Sequence, residues 1–112
     1  MASLKISDLL NNMAAAAKKS LAKKWPEIQN LATSSFKALA QNLVDIEAMR
    51  QEPSPSISEE QANLLIGMQK NTVKMVLLSE EGLGLLAAEA AINAALDSIK
   101  DVVNKAIGFA IL

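Results

Sequence analysis

The sequence predicts an all-α chain. The expected form is a long antiparallel helical hairpin, its first arm kinked or broken near Pro26, packed as a dimeric four-helix bundle or a higher oligomer. Three observations lead there. Apolar residues recur at helical spacing in both halves of the chain. Two prolines in three residues, Pro53-Ser54-Pro55, separate the halves. The second half carries more apolar surface than two helices can cover. One helical domain over residues 1–112 follows, with arm 1 at about 7–51, a turn at 52–57 and arm 2 at about 58–110.

In arm 1 the apolar positions are Leu10, Ala14, Ala17, Leu21, Trp25, Ile28, Ala32, Phe36, Leu39 and Leu43. Their steps of 3 and 4 are helical and exclude the alternation of a strand. Three steps span eleven residues, a period that predicts nearly straight or slightly right-handed packing. Pro26 interrupts the arm, because it lacks an N–H and its ring clashes with the carbonyl of residue 22. The stripe keeps its phase across the proline, which favours a kinked continuous path over a helix that ends and restarts with Pro26 in its first turn. The turn then leads into a capping box, Ser58 with Gln61 or Ser56 with Glu59, with Glu59 and Glu60 at the positive end of the next helix.

In arm 2 the expected inward stripe is Leu65, Met68, Thr72, Val76, Ser79, Leu83, Leu86 and Ala90. Gly67, Gly82 and Gly84 weaken this arm. A hairpin turning near residue 55 places Trp25 and Pro26 level with Gly84 and Leu85, so both arms are expected to be irregular at one level. There the bulkiest side chain would meet a residue with none. From Leu83 onward apolar residues cover nearly the whole circumference, and a two-helix hairpin would leave much of that surface wet. Self-association through the Ala-rich faces is therefore expected. The candidate interface is Leu83, Leu86, Ala87, Ala90, Ala91, Ala94, Ile99, Val103 and Ile107.

Composition limits the chemistry. The chain contains no Cys, His or Tyr, so disulfides, thiolate chemistry and the usual zinc, copper and haem ligands are absent. Gly82-x-Gly84 has no third glycine and no preceding strand, and makes no nucleotide motif. Glu47 and Glu89 could act together only across subunits. No catalytic residue, cofactor or metal is expected, and the chain reads as a non-enzymatic protein. Its 51% apolar content is too high for a disordered chain. No secretory signal and no uncharged apolar run of membrane-spanning length is visible, which favours the cytoplasm.

Charge is uneven: residues 1–37 hold six Lys and two acids, whereas residues 38–62 hold one Arg and five acids. The positive end centres on Lys18, Lys19, Lys23 and Lys24, a patch whose chemistry suits an anionic membrane or an acidic protein. Within the hairpin its nearest acidic partner would be Glu89. One tryptophan and a net charge of −1 make a poor nucleic-acid surface. Trp25 next to the lysines, together with the apolar tail Ala106 to Leu112, supports a membrane-active alternative.

The Pro53-Ser54-Pro55 turn and the run Gln69-Lys70-Asn71-Thr72-Val73-Lys74 resemble parts of the needle subunits of bacterial type III secretion systems. Helical hairpins of this length also resemble the small secreted WXG proteins, although no Trp-x-Gly stands in this turn. Both are likenesses of architecture. The first implies a second alternative, a filament or secretion-apparatus subunit. The leading expectation is a structural or protein-interaction module that associates with itself.

Overall fold

The computed structural model describes residues 4–80 and 82–112. All regular structure among them is helical. Helix α1 is Ile6–Leu21, α2 is Trp25–Arg50, α3 is Glu59–Leu78 and α4 is Leu85–Ile107, with a short 3-10 turn at Ala22–Lys24 between α1 and α2.

The two arms are therefore each divided, which corrects the single long hairpin. Straight arms of that length would run roughly 70 Å. The molecule instead measures 47 × 22 × 19 Å, with a radius of gyration of 14.0 Å. Arm 1 breaks completely, the less favoured of the two paths expected near Pro26. Ala22 adopts φ 49° and ψ −114°, reversing the chain, and Pro26 then occupies the first turn of α2 where its missing N–H is harmless. Positive φ at a residue with a side chain is costly, about 1–3 kcal/mol, and persists only where packing enforces it. Arm 2 breaks between the end of α3 at Leu78 and the start of α4 at Leu85, with Gly82 at φ 84°. It ends at Ile107, where Gly108 takes the left-handed conformation and donates its N–H to Asn104 O, earlier than the expected limit near 110.

The two breaks stand side by side, as the hairpin register expects. A Cβ added to Gly82 would lie 2.9 Å from Lys24 Nζ. The contact is not the one foreseen, however: a Cβ on Gly84 would meet nothing within 4 Å, so no steric compensation with Trp25 occurs there. Gly84 serves as the extended N-cap of α4 instead.

Consecutive helices alternate in direction. Leu4, just before α1, donates its N–H to Glu47 Oε1 near the end of α2 (3.1 Å), which sets those two helices antiparallel. Helix α1 packs most extensively on α4, then on α2; α3 packs on α2 and more lightly on α4. The core runs through all four helices. Its largest wholly buried side chains include Met13, Ile28, Phe36, Leu39, Leu43, Ile66, Leu77 and Ile99. In α2 the expected stripe is the buried one, from Trp25 through Leu43. In α1 the buried line is Leu9, Met13, Ala17 and Leu21, so Leu10 and Ala14 fall to its edge.

Helix α3 is where the sequence pattern misleads. It buries Ala62, Ile66, Val73 and Leu77. Of the expected inward residues, Met68 and Thr72 are exposed and Leu65 and Val76 are half-buried. The helix carries apolar residues on two sides, and periodicity alone cannot choose which one turns inward.

Candidate interaction surfaces

Two polar clasps hold the end of the molecule remote from the breaks. Arg50, in the last turn of α2, donates from Nη1 to the Ile57 carbonyl at 3.0 Å. Its Nη2 lies 3.9 Å from a carboxylate oxygen of Glu59, and its guanidinium stands 5.4 Å from the Phe109 ring centroid. One side chain thus ties the turn, the start of α3 and the C-terminal tail together. The Ser58–Gln61 capping box forms as expected, with Gln61 N–H to Ser58 Oγ at 3.0 Å and Ser58 N–H to Gln61 Oε1 at 2.9 Å.

The second clasp is Asn104. Its Oδ1 accepts the backbone N–H groups of Ile111 and Leu112, both at 3.0 Å, and its Nδ2 donates to the Leu112 carbonyl at 3.5 Å. The tail therefore folds back on the helices, burying Ile107 and Ile111 and half-burying Phe109 and Leu112. The apolar tail that suggested membrane contact is part of the fold. Trp25 is also buried. No helix among the described residues is long and apolar enough to cross a membrane.

The candidate interface residues divide into two groups. Leu83, Ala91, Ile99, Val103 and Ile107 are buried within the chain's own core, so in the folded monomer they offer no open surface. Their burial follows from the breaks: with four helices among the described residues, α4 is covered by α1, α2 and α3 of its own chain. Ala94 is half-buried, and Leu86, Ala87 and Ala90 remain exposed.

The lysine patch behaves as a solvated surface. Lys18, Lys19 and Lys23 are exposed, the first two in the last turn of α1, where positive charge meets the negative end of the helix. Lys24 pairs with Glu27 at 3.3 Å and lies along Gly82. Glu89 instead lines a small hollow of about 210 Å³ between α3 and α4, together with Lys70, Asn71, Lys74 and Asn93, which corrects its expected pairing with the patch. A wider hollow of about 580 Å³ lies between α1 and α4 near Asp8, Asn12 and Ser98. Among the described residues, no group of three or more acidic side chains is placed to hold a metal ion.

Part of the uncovered surface is apolar. Leu64, Met68, Met75 and Leu78 of α3 are exposed, Met75 to 70%. At 100° per residue these four fall within one stripe, opposite the buried line of Ala62, Ile66, Val73 and Leu77. The stripe is about 21 Å long. Leu85 and Leu86 at the start of α4 add to the exposed apolar surface, Leu86 to 84%. Sequence reasoning placed Leu86 on an interface but missed Leu64, Met75 and Leu78. The signal that could have found the stripe is the double apolar character of α3.

No family model matches the chain, and no curated protein or solved structure is detectably similar to it.

Proposed function

We propose that the protein is a non-enzymatic interaction module that associates with itself, and that α3 supplies the contact. The observation that carries this reading is the exposed stripe Leu64, Met68, Met75 and Leu78. Scattered exposed apolar residues need no explanation, whereas an aligned row of them marks an interaction surface.

The stripe suits a second copy because its spacing is nearly palindromic. Its steps are 4, 7 and 3, so an antiparallel copy of α3 sets Leu64 against Leu78 and Met68 against Met75. Asn71 then falls beside the two-fold axis, where a polar residue can fix register. A two-fold contact uses the same patch on both partners, and this pattern meets that requirement. Methionine is flexible enough to fit a partner surface with little strain. Burial of Trp25 and of the C-terminal tail favours self-association over membrane insertion, since both apolar features of the membrane alternative already have partners in the fold.

The test is a double substitution, Met68→Glu with Met75→Glu. Both positions are exposed, so each change should alter folding stability by no more than about 0.5 kcal/mol. Light-scattering mass over a micromolar concentration series, below the millimolar range in which exchange is tested, should show the unaltered chain associating and the variant remaining monomeric. Equal mass curves for the two would reject α3 as the contact.

A further inference from the structure

We propose that the molecule can open at its two adjacent breaks and exchange halves with a second copy of itself, giving an elongated dimer. In that dimer, α1 and α4 of one protomer pack on α2 and α3 of its partner. The proposal shares with the preceding reading only the identity of the partner, and it uses different surfaces.

The division of the molecule supports it. Helices α1 and α4, the most extensively packed pair, form one half and α2 and α3 the other; across the halves, α1 packs on α2 as extensively as α3 does. Two connections join the halves: the turn at Ala22–Lys24 and the link from α3 to α4. They lie next to each other, with Lys24 along Gly82. A rotation about this shared joint would separate the halves without unfolding either one. Every packing contact between α1 and α2, or between α3 and α4, can then be remade with the partner, which is why exchange of identical elements is an accessible route to dimers.

Three further observations favour the open form. Ala22 is held at φ 49° and ψ −114°, a conformation that straightening would relieve, and short strained hinges promote exchange. The apolar positions Leu21, Trp25 and Ile28 keep steps of 4 and 3 through the break, so a continuous helix, kinked at Pro26, would present one unbroken face. Exposed apolar residues outside the α3 stripe also gather at this end: Leu31 lies near the start of α2, and Leu85 and Leu86 at the start of α4. This end becomes the middle of an exchanged dimer, where the halves of two protomers abut. Opposing the exchange is the entropy lost on association, so the equilibrium depends on concentration.

The experiment uses the full chain carrying Met68→Glu and Met75→Glu, so that pairing through α3 does not contribute. Ala22→Val and Ala22→Gly are compared in that background by light scattering and small-angle X-ray scattering from micromolar to millimolar concentration. Valine opposes positive φ and glycine accepts it. The valine variant should dimerise with a dissociation constant about tenfold lower than the glycine variant, as follows from relieving or retaining the strain. Its dimer should extend to roughly twice the 47 Å length of the closed molecule. A valine variant that stays monomeric, or a dimer no longer than one closed copy, overturns the proposal. Should the valine variant fail to fold, the background chain refolded at millimolar concentration decides: an elongated dimer supports exchange, and compact monomers alone reject it. Loss of α3 pairing with retention of the elongated dimer would separate this proposal from the preceding one.

Discussion

Asn104 secures the C-terminal hook through a single side chain. Its Oδ1 receives two backbone N–H groups that would otherwise lose water as Ile111 is buried. Asn104→Ala removes the acceptor of the Leu112 N–H and one of the two acceptors of the Ile111 N–H, which keeps the Phe109 carbonyl at 2.9 Å, and a stability loss of about 0.5–1.5 kcal/mol is expected in denaturant titration. Hydrogen exchange should accelerate most at Ile111 and Leu112. The two glycines of the second break make a sharper contrast. Gly82 has φ 84° and a lysine ammonium close to where its Cβ would stand, so Gly82→Ala should cost about 1 kcal/mol. Gly84 is an extended N-cap in open space, so Gly84→Ser should raise stability by about 0.3 kcal/mol. Thermal unfolding of the pair checks both signs, and a larger side chain such as leucine at 84 should meet no collision.

At the scale of the element, α3 begins with the most explicit local signal in the chain. Removing it by Ser58→Ala should cost about 1 kcal/mol and fray the first turn, visible as faster amide exchange at Gln61. That cap was legible in the sequence because it depends on two residues three positions apart. The stripe of α2 was legible for a similar reason: Trp25, Ile28, Ala32, Phe36, Leu39 and Leu43 are its apolar run, and all are buried. The orientation of α3 was not legible, because Ile66 and Leu77 lie on one side while Leu64 and Met75 lie on the other. Which side faces α2 is set by contacts distant in sequence. The break at Ala22 was hidden differently. Alanine is a strong helix former, and nothing local signals a positive φ there. Pro26 raised the alternative of an ending, but the unbroken apolar phase argued against it.

At the scale of the molecule, those two hidden features change what the chain requires. A straight hairpin would need a second copy to cover α4. A hairpin folded across its middle keeps α1 on α4 and adds cover from α2 and α3, leaving the uncovered apolar surface on α3 and at the end where the chain reverses. Residues first read as an interface, such as Ile99 and Val103, become core, while Leu64, Met68, Met75 and Leu78 are left outside. The exchanged dimer unites the two pictures, since its straightened arms are the long hairpin that the sequence pattern describes.

Pairing through α3 is tested most directly by a symmetric cross-link. The chain has no cysteine, so a single Asn71→Cys introduces one thiol per protomer beside the proposed two-fold axis. Lys18→Cys, on α1, provides an exposed control on a helix that does not touch α3. Under mild oxidation, the Asn71→Cys chain should form disulfide-linked dimers much faster than the control, and Met68→Glu with Met75→Glu should abolish the difference. Equal rates of cross-linking at positions 71 and 18 would contradict the assignment of α3 as the self-association surface.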